Sequence, residues 1–358
     1  DETVTGGAFA SVRDKAWHNL GKVWNPEEHD GRLPDSRELL KEAYCDFPIY
    51  TVPITAIVER RDAAGHLLNI VDVEDNRKVN LLRDHPETGL PQILGQVGPN
   101  YPLWTPQEIL CGFGDGILQY GEPTVSTCGA LDEGRQVFMS FKLPKDIKVA
   151  GLSDELINLW LVAHTSFDGS TITSATLTPI RAVCRNTIRA GAAAAVSRFT
   201  IKKTRNAKLA VAQARTALGL VDPYLELLNA EADALLNTPV SNDLFHSIIE
   251  REFGPEALRI GETPSKKALE GWEPRETALM NLFTKADTQA NVRHTAWAGV
   301  QAITEYCDWF VGVKGSKGWS PEQVATAQFK RSVFGDPTVD KPKKAASRVF
   351  RELAGLKG

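Results

Sequence analysis

The chain of 358 residues carries 41 Lys plus Arg against 45 Asp plus Glu, a formal net charge of -4, with 42% hydrophobic and 24% charged residues. This composition excludes a collagen-like chain, a disulfide mini-protein, a wholly disordered tail and a uniformly basic, histone-like protein. At this length about two core-bearing units are expected, and the charge total says nothing about how the charges are distributed.

Residues 1 to about 45 read as loop-rich, with Trp17, His18 and Trp24 close together and a short helix over 36–43. Extended segments follow at 49–59 and 66–73, parted by an Asp62-Ala-Ala-Gly65 turn, and at 92–101, which ends in Gly-Pro-Asn. Pro106 opens a helix capped by Thr105 and running to about Tyr120; Gly112, Gly114 and Gly116 suit it to close packing.

The middle of the chain predicts a strand over 136–143 with a short extension over 147–149. A nearly continuous apolar strand covers 156–165, ending at a Phe167-Asp-Gly-Ser170 turn, and a Thr- and Ile-rich strand covers 171–177. An Ala-rich helix over 182–196 and one more strand over 199–204 come next. From Asn206 the hydrophobic period is helical, with helices expected at 207–218, 223–236, 242–253, 275–283, 292–310, 321–329 and 344–356. The stretches 254–273 and 312–320, rich in Gly, Pro and Lys, read as surface connections. The predicted class is α+β: an antiparallel sheet with a β-β-β-α core followed by a mostly helical C-terminal half. The sheet-bearing core with its loop-rich N-terminal arm is placed at 1–205 and the helical region at 206–358.

Cys45, Cys111, Cys128, Cys184 and Cys307 are odd in number and lack C-x-x-C spacing, so free or buried thiols are expected, not disulfides or a zinc site. The opening DETVTGGAFASVRDKAW has no apolar signal region, and the most apolar run, 156–163, is too short to span a bilayer. The host cytoplasm and no membrane association are the expectation.

The charge distribution carries more information than the total. No Asp or Glu occurs between Asp168 and Asp222, a run of 53 residues that holds nine basic ones. Eight of them, Arg181, Arg185, Arg189, Arg198, Lys202, Lys203, Arg205 and Lys208, are the candidate phosphate contacts, with Arg215 further on. Arg181, Arg185 and Arg189 are four apart and would form one stripe if all three were helical. Thr171, Thr173, Ser174 and Asn186 are neutral donors for the same role, and Trp160, Phe167 and Phe199 are aromatics beside the basic run. The spacing of Trp160 and Phe167 departs by one residue from a shared face, so at least one of the two is expected in the core. The bland reading is a solvated helix face neutralised by distant acids.

Other motifs are weaker. Gly112-Phe-Gly114-Asp-Gly116 lies within a helix and lacks the strand-to-helix setting of a dinucleotide site. No P-loop, HExxH or GxSxG is present, and no cofactor, metal site or catalytic group is assigned. His164 and Asp168, flanking Ser166, are the only pair that suggests acid-base or metal chemistry, and turn formation and hydrogen bonding explain them equally well. Cys184, between arginines, reads as a small buried residue.

Several motifs together resemble a family of phage- and plasmid-like proteins grouped as a domain of unknown function (DUF932). They are Ala16-Trp-His-Asn-Leu-Gly21, Val97-Gly-Pro-Asn-Tyr-Pro102, Phe138-Met-Ser-Phe-Lys-Leu-Pro144, His164-Thr-Ser-Phe-Asp-Gly-Ser170 and Thr178-Pro-Ile-Arg-Ala-Val-Cys-Arg-Asn-Thr187. Late in the chain come Thr295-Ala-Trp-Ala-Gly-Val-Gln-Ala-Ile-Thr-Glu-Tyr306 and Arg331-Ser-Val-Phe-Gly335. The resemblance implies a mobile-element origin and supplies no activity or catalytic residues. The β-β-β-α order adds a fold-level analogy to Rad52-like single-strand annealing proteins.

The leading expectation is a phage-encoded, non-enzymatic protein that binds and anneals single-stranded DNA as a homo-oligomer. Two alternatives stand beside it: an anti-restriction protein that blocks a host protein by binding it, and a metal-dependent nuclease using His164 and Asp168.

Overall fold

The computed structural model describes residues 7–11, 22–117, 124–148, 156–181, 198–200 and 221–356. The expected α+β class is observed. Its centre is an antiparallel meander of four strands, β6 (Thr124–Leu131), β7 (Gln136–Lys148), β8 (Leu156–Ser166) and β9 (Ser174–Arg181). β10 (Arg198–Thr200) adds to β9, while β1 (Gly7–Ser11) pairs antiparallel with β6 and parallel with β2 (Lys22–Val23). Among the described residues this gives a seven-stranded sheet in the order β10-β9-β8-β7-β6-β1-β2.

The segments read as a strand at 136–143 and an extension at 147–149 are one strand. Between the pairs Lys142–Trp160 and Asp146–Asn158, β7 bulges by two residues. Pro144 falls in that bulge, where its missing N–H costs no ladder bond. Strand β9 starts three residues later than expected and runs on to Arg181, because Thr176, Thr178 and Ile180 continue the β-branched alternation.

One face of the sheet is the core face. Val137, Met139, Phe141 and Leu143 of β7 and Ile157, Leu159, Leu161 and Ala163 of β8 are buried there. Each large aliphatic contributes about 1.5–3 kcal/mol on burial. They pack beneath two helices, α1 (Ser36–Glu42) with Leu39 and Leu40, and α2 (Pro106–Ile117) with Ile109 and Leu110. Helix α1 begins with a reciprocal capping box: Asp35 Oδ1 accepts from the Arg37 and Glu38 amides at 2.8 Å, and Glu38 Oε2 accepts from the Asp35 amide at 2.9 Å. Cys45, Cys111 and Cys128 are buried in this layer as free thiols, as is Cys307 elsewhere; Cys184 lies outside the described residues.

A second sheet, β3 (Tyr50–Arg61), β4 (Leu67–Asp84) and β5 (Pro91–Val97), docks on the first through its rooted end. Gly95 makes this possible: a Cβ there would lie 2.6 Å from Phe167 O and 2.8 Å from Asp168 Cα. Arg83 threads into the same junction, fully buried, its guanidinium 4.6 Å over the Phe47 ring and its Nε donating to Gln92 Oε1 at 3.0 Å. Gly134, at φ +82°, leaves the room that guanidinium occupies.

The C-terminal half is helical: α3 (Val221–Leu236), α4 (Asn242–Phe253), α5 (Glu256–Arg259), α6 (Lys266–Thr284), α7 (Ala296–Glu305), α8 (Pro321–Phe334) and α9 (Pro337–Leu353). Two helices begin well before the expected positions. Ser265 caps α6 and Trp272 buries its first half despite Pro274, while Asp336 caps α9 ahead of Pro337, with Pro342 inside. The stretch 254–273 is therefore mostly helix, and the expected helix at 207–218 lies outside the described residues. Helix α7 is buried along its whole length, and Gly299 lets Phe350 of α9 press against it. It widens into a π turn over Tyr306–Phe310. Two buried ion pairs tie α9 down, Arg351 to Glu231 at 2.6 Å and Lys343 to Asp308. Most of the buried apolar side chains of sheet and helices form one continuous cluster, and Lys330 of α8 pairs with Asp132 in the β6–β7 turn.

Candidate nucleic-acid interface

Strand register sorts the main sheet into rows that alternate between its two faces. Opposite the core face run three rows across β7, β8 and β9: Lys142–Trp160–Thr178, Ser140–Val162–Thr176 and Phe138–His164–Ser174. Arg198 of β10 extends the second row beside Thr176, and Thr200 extends the third beside Ser174. A fourth row, Asp146–Asn158–Ile180, lies beyond the β7 bulge. This face mixes polar and apolar residues, whereas the core-face positions Val137 to Leu143 of β7 and Ile157 to Ala163 of β8 are apolar. Strand β8, expected as a nearly continuous apolar strand, lies inside the sheet and carries Asn158, Trp160 and His164 among the apolar residues, all on this face.

Trp160 and Asn158 are half-buried here, and two of their polar atoms are shielded from solvent. The Trp160 indole Nε1 and the Asn158 amide Oδ1 have no hydrogen-bond partner among the described residues. A buried donor and a buried acceptor, two residues apart on one strand face, are groups that a ligand or ordered water satisfies. Phe167, by contrast, is buried in the core and meets Phe47 edge-on at a centroid distance of 6.0 Å. At least one of these two aromatics is expected in the core, and Phe167 is there.

The far end of the sheet is a network of hydroxyls. His164, 1% exposed, shares a 2.7 Å hydrogen bond between Nε2 and Ser174 Oγ. Thr165 and Thr173 share one of 2.6 Å, Ser166 Oγ donates to Thr171 O at 2.8 Å, and Gln136 Nε2 donates to Ser170 Oγ at 2.7 Å. Asp168 Oδ1 accepts from the Ser170 amide at 2.8 Å, closing the Asp-Gly turn. Thr173 and Ser174, expected as phosphate donors, are buried and bonded within this network. His164 and Asp168 likewise have structural partners. Among the described residues no group of three or more His, Cys, Asp or Glu side chains is placed to hold a metal ion.

Of the eight candidate basic contacts, two lie in described strands. Arg181 is the last residue of β9, paired with Ile157, and Arg198 the first of β10, paired with Thr176. The arginine stripe therefore does not begin in a helix, since Arg181 is held in the strand ladder. Among the described residues β10 pairs with β9 only from Ser174 to Thr176. Arg181 and Thr176 are five residues apart along β9, so Arg181 falls on a register row of the opposite face from Arg198. Arg185, Arg189, Lys202, Lys203, Arg205 and Lys208 lie outside the described residues, as do the helix expected at 182–196 and Asn186. Lys142 and Asn158 escaped sequence reasoning. Their signal was the polar alternation within β7 and β8, hidden by the apolar bulk of the neighbouring positions.

No helix among the described residues is long and apolar enough to cross a membrane. No curated protein and no solved structure matches the chain. The model of one family matches residues 93–326, from β5 through the meander and into α8. The chain belongs to that family, the domain of unknown function DUF932.

Proposed function

We propose that the protein is a phage-encoded, non-enzymatic single-stranded DNA-binding protein that promotes annealing during recombination or replication and acts as an oligomer. The observation that carries this reading is the run of 53 residues with nine bases and no acids, which starts in the turn after β8 and takes in β9 and β10. A phosphate backbone is the partner such a region favours, because cations without neighbouring acids hold the condensed counterions' place. The polar sheet face supports it, since Trp160 offers an aromatic surface beside Lys142 and stacking is indifferent to base identity. The reading also draws on the analogy to Rad52-like annealing proteins suggested by the β-β-β-α order, and on the mobile-element origin proposed with it.

The test is binding of the full chain to fluorescent single- and double-stranded oligonucleotides. Binding to the single strand at low salt is expected, with loss in an Arg185→Glu/Lys202→Glu double variant. Trp160→Ala should weaken it by about one stacked base, ~1–3 kcal/mol. Absent binding in the wild type, or unchanged binding in the double variant, overturns the reading.

A further inference from the structure

Strands β3 and β4 continue far beyond the body of the small sheet. Between Pro53–Val79 and Thr55–Glu74 the pairing breaks, and the unpaired Asp75–Lys78 stretch marks a root. Beyond it, residues 55–74 form a two-stranded β-finger that projects by about 20 Å at ~3.4 Å per residue. None of its residues is buried. Yet it carries Ile57, Val58, Leu67, Leu68, Ile70 and Val73, each between 41% and 73% exposed. An isolated two-stranded hairpin is marginal in water, and contiguous exposed aliphatics of this kind mark an interface. The register puts Ile57 and Ile70 on one face and Val58 and Val73 on the other, so both sides of the finger expose apolar residues.

The same chain bears a matching surface. Trp309 and Phe310 on the π turn and Trp319 shortly after it are 43–54% exposed, and Phe310 is held in place by stacking on Tyr306 at 5.9 Å. Lys314 and Lys317 lie in the intervening loop, exposed and without an ion-pair partner among the described residues. On the finger, the pairs Ile57–Asp72, Glu59–Ile70 and Thr55–Glu74 put Ile57 and Ile70 on one face with the exposed acids Asp72 and Glu74, which have no ion-pair partner among the described residues. Aliphatics flanked by acids thus face aromatics flanked by lysines, and both surfaces are uncovered within one chain.

We infer that the β-finger of one copy docks on the Trp309–Trp319 surface of a second copy. The contact is head-to-tail, so it propagates copies into a ring or a chain. It stands independently of what the main sheet binds, and its test contains no nucleic acid.

The experiment is sedimentation velocity of the full chain across a concentration series. The wild type is expected to be heavier than one chain and to grow with concentration. Ile57→Asp/Ile70→Asp on the finger and Trp309→Ala/Phe310→Ala on the surface should each give monomers. An equal mixture of the two variants restores one intact contact and should give particles of two chains and no larger. Lys314→Glu/Lys317→Glu, confined to exposed positions, should also abolish assembly, with rescue by Asp72→Lys/Glu74→Lys in the same chain. A monomeric wild type overturns the inference, as does assembly unaffected by the finger variant. Assembly that depends on the finger and not on the aromatic surface overturns it too, pointing to finger-to-finger pairing or a different partner.

Discussion

Gly95 tests the junction of the two sheets most sharply. A methyl group added there would lie 2.6 Å from Phe167 O and 2.8 Å from Asp168 Cα, whereas ordinary contact begins near 3.4 Å. Both obstacles are main-chain atoms, and neither is free to yield. The Phe167 amide donates to Arg135 O at 2.7 Å, its ring is buried against Phe47, and Asp168 closes the turn onto Ser170. Strand β5 must therefore recede, opening the packing around Leu94 and Arg83. Overpacking of this kind costs about 1–3 kcal/mol, and the entropy gained by removing a glycine returns ~0.4–1 kcal/mol. A net loss of about 1–2 kcal/mol is expected for Gly95→Ala. Gly271→Ala is the control of opposite sign: it sits inside α6 with nothing within 4 Å of the added carbon, so it should stabilise by up to ~1 kcal/mol. Urea unfolding followed by tryptophan fluorescence reads both as midpoint changes at unchanged slope. Equal or greater stability of Gly95→Ala would refute the docking of β5 on the Phe167–Ser170 turn.

Arg351→Met removes the guanidinium that Glu231 meets at 2.6 Å in a buried setting, and should cost ~3–5 kcal/mol. The Arg351→Met/Glu231→Met double variant should recover most of that loss in chemical denaturation; additive losses would mean the pair is not coupled. Cys45, Cys111, Cys128 and Cys307 are buried, and burial pushes the Cys307 thiol up to about 12. A thiol reagent should therefore label at most one of the five cysteines in the native protein and all five after unfolding. The Arg32 guanidinium, hydrogen-bonded to Glu38, holds that carboxyl at about 2, below its ordinary 4.5. A depressed folded value stabilises above the unfolded one, so a small increment should vanish as pH falls from about 4.5 to about 2. Arg32→Gln should flatten the urea-midpoint curve in that window, and an unchanged curve would contradict the assignment.

Elements with a clean period were legible in the sequence. The helix Asn242–Phe253 has the expected ends because Ser241 caps it and Gly254 stops it. Strands β1 and β6 passed unnoticed, since GAFAS and TVSTCGAL are built of small residues that show no clear alternation. Pro274 and Pro342 masked the true starts of α6 and α9, because a proline's local penalty is outweighed where tertiary burial, as at Trp272 and Val339, holds the helix. The extended segments 49–59 and 66–73 and their turn were legible, but not that they would stand uncovered, because a strand's own sequence does not reveal what lies opposite it. For the candidate interface, the missing acids were visible in the sequence. The division of Arg181 and Arg198 between rows of opposite faces was not, since it depends on where β9 ends. Lys142 and Trp160 became neighbours only through pairing across β7 and β8.

The central claim is that the acid-free region binds a phosphate backbone, and its most direct measure is the salt dependence of single-stranded DNA binding. Each phosphate neutralised on a single strand adds about -0.7 to the slope of log Kobs against log salt, so engagement of the seven candidates other than Arg181 gives a slope of about -5. A slope of that size is expected, reduced by about 1.4 in the charge-neutral Arg185→Gln/Lys202→Gln variant, where two contacts are lost. A slope near zero, or no binding at low salt, would contradict it.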